Sequence, residues 1–136
     1  MAATRRQRRG LQGVSKLRKQ LRRLPDDVTA EVREAIADSA EMMRFEQLKR
    51  VPVDEGDLAA SIEIKLGRDK MSADIGPGAR TKKAKRRGGW RARFIEFGTR
   101  YISARPFVGP AFDAGKDRAT QWIDRAVTRA LKRAGR

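Results

Sequence analysis

The run SIEIKL, residues 61–66, alternates strictly between polar and apolar side chains, and MSADIG, residues 71–76, alternates again after the short turn GRDK. Successive side chains of a strand point to opposite faces. Ile62, Ile64 and Leu66 therefore share one face, and Glu63 and Lys65 the other. Met71, Ala73 and Ile75 form the matching apolar set in the second run. Two such runs joined by a polar turn predict an antiparallel hairpin, whose apolar face other elements must cover.

The cover is expected from helices. Val14, Leu17, Leu21 and Leu24 make an apolar stripe at helical spacing near the end of an otherwise basic arm. After Pro25, DDVTAEVREAIADSAEMMRFEQLKRV has Asp26 and Asp27 placed to cap a helix. Val28, Val32, Ile36, Ala40, Met43 and Leu48 lie along one face of it, Arg44, Lys49 and Arg50 sit near its end, and Pro52 closes it. VPVDEGDLAAS reads as a loop. RARFIEFG reads as a third strand, with Ile95 and Phe97 inward and Phe94 and Glu96 pointing away, before Gly98 supplies a backbone position suited to positive φ. A last helix is expected from Pro110, a favoured first helical position. Phe112, Ala119, Trp122, Ile123, Ala126, Val127, Ala130 and Leu131 form its apolar face, with Asp113 and Asp117 early and Lys132 and Arg133 late.

This outline is an α+β fold, with N-terminal helices and a C-terminal helix packed on a small antiparallel sheet containing a hairpin. Residues 1–24 are expected to be a basic N-terminal arm with a short helix. Residues 25–136 are expected to form a single α+β domain with a mobile basic loop at 79–89.

The net charge of +16 is unevenly placed. Residues 1–24 hold nine basic and no acidic side chains, and residues 79–93 hold eight basic and none acidic. The rest of the chain has 16 basic against 17 acidic residues, so the excess belongs to two appendages and not to the body. Arg80, Lys82, Lys83, Lys85, Arg86 and Arg87 are candidates for contact with DNA phosphates or an acidic partner. Trp90 leads directly into the apolar run after them and reads as core.

Catalytic chemistry has little to work with. The chain has no cysteine and no histidine, which removes disulfides, thiolate nucleophiles and the commonest general base and metal ligand. Glu96 lies among aromatics, where burial would raise its pKa as a general acid requires. No second carboxylate, histidine or nucleophile is near it in sequence, so a structural pairing is favoured: with Arg100, with Arg105, or with backbone N–H groups at the Gly98 turn. Asp54, Glu55 and Asp57 around Gly56 are too few and too closely spaced for a calcium loop of about twelve residues. The expectation is no catalytic residue, no metal and no cofactor. No segment approaches the length of a membrane span, and MAATRRQRRG leads into no apolar stretch of the kind a secretory signal has. A soluble intracellular protein with no membrane partner and no small-molecule substrate is expected.

Two blocks carry a family resemblance. EFGT, then A-R-P-F and P-A-F, run from Glu96 through Phe97, Gly98, Thr99, Pro106, Phe107 and Pro110. VPVDEGDLAASI contains Val51, Pro52, Asp54, Gly56, Leu58, Ser61 and Ile62. In order and spacing these blocks resemble the signature of the Hong Kong 97-like gene-product-ten family of phage head–tail connector or tail-completion proteins, related to minor tail protein Z. Glu55 departs from the pattern, where the family usually has threonine, and the basic arm and the 79–89 loop are not part of the signature.

The resemblance implies a structural component of the head–tail junction, or neck, of a long-tailed bacteriophage, prophage or phage-like particle. It implies a homo-oligomeric ring in contact with adjacent neck and tail proteins, through which double-stranded DNA passes, reached after assembly in the bacterial cytoplasm. Aromatics on both faces of residues 90–97 would leave Phe94 in need of cover from a neighbouring subunit. The alternative is a stand-alone nucleic-acid-binding protein using residues 1–24 and 79–93.

Overall fold

The computed structural model describes residues 26–53 and 56–135, and of Asp27 the backbone alone. The basic arm with its stripe of Val14, Leu17, Leu21 and Leu24, the side chain of Asp27, and the acidic pair Asp54 and Glu55 lie outside the described residues. Along the chain run α1 (Asp26–Arg50), α2 (Asp57–Ala60), β1 (Ile62–Leu66), β2 (Ala73–Pro77), α3 (Lys82–Arg87), a 3-10 turn (Gly89–Arg91), α4 (Ala92–Phe97) and α5 (Val108–Ala134). The architecture is α+β: helices on a two-stranded antiparallel sheet.

The hairpin forms where the alternation predicts it. Ile62 pairs with Pro77, Ile64 with Ile75 and Leu66 with Ala73. Three polar side chains of α1 clasp its backbone: Arg33 Nε donates to the Asp69 carbonyl (2.9 Å), Arg44 Nε to Ile62 (3.1 Å) and Gln47 Nε2 to Ile75 (3.2 Å). Buried carbonyls need partners, so these bonds orient the helix over the sheet as well as attach it.

Among the described residues, the two long helices make the most extensive contact between elements. Their seam uses small residues. Val28, Val32 and Ala40 of α1 are buried, as are Ala111, Gly115, Ala126 and Ala130 of α5. A Cβ at Gly115 would stand 2.4 Å from the Met43 sulfur and 3.2 Å from that of Met42, so a side chain there would have to displace the flexible ends of these two methionines. At the far end of α5, Arg129 and Arg133 reach Glu31 of α1 at 3.9 and 3.4 Å. A second cluster contains Val51, Leu58, Ile62 and Phe107, bordered by Leu48, Ala59, Ala92, Ile95 and Val108. Phe107, fully buried, is the only aromatic in it.

Several expectations change. Residues 92–97 are a helix, not a third strand. Over six residues an alternating pattern also permits a helix. Here Ala92 and Ile95, three apart, are the pair that packs on the core. Phe97, expected inward, is 78% exposed, and Trp90, expected in the core, is 53% exposed. The segment read as loop throughout 79–89 contains α3. The Thr81 hydroxyl caps it by accepting from Ala84 N (3.2 Å), and buried Gly88 ends it against the Asp57 backbone, where a Cβ would sit 2.3 Å from the carbonyl oxygen. The loop 51–61 contains the single turn α2, introduced by Gly56 at φ 79°, a left-handed position that favours glycine. Finally, α5 starts at Val108, two residues before Pro110.

Candidate assembly surface

The two signature blocks meet in space. Leu58 and Ile62 from the first pack with Phe107 from the second, and Ser61, buried between α2 and β1, donates its hydroxyl to the Leu58 carbonyl at 2.6 Å. Pro52 lies farther out, on the border of a surface cleft with Trp90 and Tyr101.

Glu96 holds the second block together. Its Oε2 accepts the backbone N–H of Phe107 (2.7 Å) and Val108 (3.0 Å), and its Oε1 that of Gly109 (2.9 Å). These are the N-cap residue and first two residues of α5, whose N–H groups have no partner within the helix. Next comes Pro110, which has no N–H, and Ala111 N then makes the first helical bond, to the Phe107 carbonyl (3.2 Å). One carboxylate and one proline thus leave no orphan donor at the start of a 27-residue helix. Burial works to raise the Glu96 pKa, but the hydrogen bonds from Gly109, Phe107 and Val108 outweigh it and hold the carboxyl below its ordinary value. The partner is therefore not Arg100, Arg105 or the Gly98 turn. A carboxylate kept ionised and engaged on both oxygens is a cap, not a general acid.

The connection from α4 to α5 is held by backbone geometry. Gly98 adopts φ 74° and ψ 173°, a region essentially restricted to glycine, and a Cβ there would lie 2.9 Å from Ala104 N. The Thr99 hydroxyl accepts from Tyr101 N (3.2 Å) and Ile102 N (3.1 Å), while Thr99 N donates to the Ile102 carbonyl (2.9 Å). Arg105 N donates to the Ile95 carbonyl (2.7 Å), just before exposed Pro106.

This turn displays apolar side chains outward. Trp90, Phe94, Tyr101 and Ile102 border, with Pro52 and Ile95, a cleft of about 600 Å³. Trp90 and Phe94 meet edge to face at 6.3 Å, and the Arg91 and Arg100 guanidiniums lie over Trp90 and Tyr101 at 5.4 and 5.9 Å. Phe97 and Phe112, also exposed, add to the apolar surface carried by α4 and α5. Five of the six aromatics from 90 to 112 are exposed. Neighbouring exposed aromatics of this kind form an apolar patch larger than scattered single residues would.

The basic candidates are all exposed on α3 and just before it. They spread around the helix. Lys83 and Arg87, a turn apart, border a small cleft with Asp57 and Glu63. Lys85 backs onto Gly78, and Lys82 and Arg86 are exposed a turn apart on the remaining side. Glu63 was not singled out by the sequence reading, yet it anchors this element. Its carboxylate accepts Arg80 N (3.0 Å), Thr81 N (2.8 Å) and the Thr81 hydroxyl (2.8 Å), and the bond from Thr81 N leads in holding its pKa below the ordinary value. Among the described residues, no group of His, Cys, Asp and Glu could hold a metal ion, and no helix is long and apolar enough to cross a membrane.

No curated protein and no solved structure gives a significant match to this chain. Residues 15–98 match the model of the family described as "Bacteriophage HK97-gp10, putative tail-component". The matched span includes the first block and ends at Gly98, so Thr99, Pro106, Phe107 and Pro110 lie beyond it. The match takes in more than half of the 136 residues. The chain therefore belongs to the HK97-gp10-like family of phage tail components and is a tail-related structural protein of a bacteriophage.

Proposed function

We propose that this chain is a structural component of the head–tail junction of a long-tailed bacteriophage, prophage or phage-like particle. It assembles there as a ring that helps join the DNA-filled head to the tail, in contact with adjacent neck and tail proteins. It is not an enzyme: Glu96, its one catalytic candidate, serves as a helix cap. The observation that carries this reading is the aromatic surface around Trp90, Phe94, Tyr101 and Ile102, held outward by the glycine turn. Aromatics dominate the energetics of protein interfaces when they are packed and dry. Tyr101 is 88% exposed and takes no part in the buried clusters of the described residues.

The expected result follows from that contrast. Tyr101→Ser should change folding stability by no more than about 0.5 kcal/mol, the usual range for exposed positions. Supplied to particles lacking the protein, it should restore head–tail joining at a small fraction of the unaltered chain's yield. Normal joining by Tyr101→Ser would remove this surface from the assembly contact. Normal joining by particles with no copy of the protein would remove the neck assignment itself.

Double-stranded DNA is the second proposed contact, through α3, and the observation favouring it is that Lys82 and Arg86 are exposed on the same side. Phosphate binding releases counterions, so log affinity should fall against log salt with a slope of about −0.9 per phosphate. A Lys82→Ala, Arg86→Ala double variant should flatten that slope by roughly 2 in a fluorescence titration with duplex DNA. An unchanged slope would place any DNA contact elsewhere. Tight DNA binding by the free chain, with no defect in particles lacking it, would favour the stand-alone nucleic-acid-binding alternative.

A further inference from the structure

The hairpin has two edges, and they are not equivalent. The Ser61 carbonyl accepts Gly78 N (2.8 Å), and Gly67 N donates to the Ser72 carbonyl (2.9 Å). With the register of the ladder, these bonds fix the alternation: Ser61, Glu63, Lys65 and Gly67 turn their backbone groups toward β2. Ile62, Ile64 and Leu66 turn theirs outward. On the far edge, β2 is blunted, because Pro77 has no N–H and the Ile75 carbonyl is taken by Gln47. On β1 the Ile62 carbonyl, at the strand's end, receives Arg44 and keeps a second lone pair, and beyond it the backbone of Ile64 and Leu66 faces a groove of about 660 Å³ bordered by Glu41, Arg44 and Arg80. An outward row of N–H and C=O groups is a template for another strand.

The sequence of β1 specifies which strand. Ile-Glu-Ile-Lys-Leu is complementary to itself when read in reverse. Laid antiparallel on a second copy with Ile64 on the two-fold axis, it sets Glu63 opposite Lys65 on both sides of the axis. Ile62 then faces Leu66, and Ile64 faces itself. The Glu–Lys positions become the non-hydrogen-bonded pairs, whose side chains approach more closely. Shifting the register by two residues either way would place Glu63 against Glu63 or Lys65 against Lys65, and like charges directly opposite are destabilising. Glu63 is also fixed in advance, because its bonds to Arg80 and Thr81 hold the carboxylate in place. A carboxylate has about four acceptor sites, which leaves one for a lysine. Leu66, 38% exposed, would be brought against the second copy's strand.

We propose that the free chain dimerises through β1, by two-fold antiparallel strand addition centred on Ile64, forming a continuous four-stranded sheet. A two-fold contact closes on itself and cannot propagate around a ring. It is therefore a contact of the chain outside the ring, independent of the neck assignment.

The test uses the full chain. It contains no cysteine, so Ile64→Cys introduces a single thiol. At a hydrogen-bonded antiparallel pair the Cα atoms are about 5.5 Å apart, within the range a disulfide spans. Mild oxidation should convert most of this variant to a covalent dimer, whereas Asp74→Cys on β2 should give only traces. In sedimentation velocity the unaltered chain should show a concentration-dependent dimer. Lys65→Glu, at an exposed position, should weaken it by about tenfold or more, since two attractive pairs become repulsive. A chain that stays monomeric at every concentration, a dimer that Ile64→Cys fails to cross-link, or one indifferent to Lys65→Glu would overturn the proposal. None of these outcomes bears on head–tail joining by particles, which tests the neck assignment separately.

Discussion

Replacing Phe107 by alanine should lower stability by about 4 kcal/mol, the cost of removing a large buried aromatic and leaving a cavity. For a chain of this length that corresponds to a fall in the thermal midpoint of roughly 14 °C. The size follows from position as well as volume. Phe107 is fully buried and fills the cluster with Val51, Leu58 and Ile62. It thereby joins the segment after α1, the start of the hairpin and the start of α5. Its backbone is also the N-cap of α5 and donates to Glu96. The site has little room to collapse, because α4 and α5 are tied together by that bond. Calorimetry or circular dichroism melts will read the result. A fall of less than roughly 3 °C would mean that the cavity is refilled and Phe107 is not the keystone of this cluster.

Glu96→Ala is expected to cost about 3 kcal/mol, more than an ordinary N-cap, because three backbone donors lose a charged acceptor together. Glu96→Gln keeps one acceptor oxygen and should cost about half as much. The same carboxylate makes stability depend on acid. Its folded pKa lies below the ordinary value of 4.5, so the unfolded chain binds the proton more readily than the folded one. Its contribution is therefore fully present above 4.5 and is lost as the pH falls through the folded value. Glu46, held down by Arg50 and Lys49, and Glu63, held down chiefly by Thr81, act in the same direction. Melts taken from neutrality down to about pH 3 should show a shallower acid decline for Glu96→Gln than for the unaltered chain. Parallel declines would show that the carboxylate does not carry this linkage.

Much of the fold was legible because it is written at short range. The alternation in residues 61–66 and 71–76 marks the hairpin, and the 3.6-residue period in residues 26–50 and 111–131 marks the two long helices. Gly98 was expected at positive φ and is found there. The misreadings have a common cause. ARFIEF is too short for its period to separate a strand from a helix, and the choice was made by which pair of side chains found the core. KKAKRR has no apolar face to betray a helix. It forms one because the Thr81 hydroxyl caps it at Ala84 N, Glu63 anchors the Arg80 and Thr81 backbone just ahead of it, and Gly88 docks on Asp57.

The aromatic cluster shows the same division. Sequence alone located the aromatic cluster and its glycine and proline punctuation, and it recognised that Glu96 was structural. It could not decide which aromatics are inside. That depended on how much volume the helices leave. Small buried residues such as Ala40, Gly115 and Ala126 line α1 and α5, and Phe107 is the aromatic that the remaining cluster takes in. Nor could it name the partner of Glu96, which lies eleven to thirteen residues onward, across a turn that sequence spacing does not measure. Sequence by itself determined the two long helices, the hairpin and the separation of charge, because periodicity and turn chemistry act between near neighbours. Only the tertiary structure decided what is buried, because burial is a competition among the whole chain's side chains for one small core.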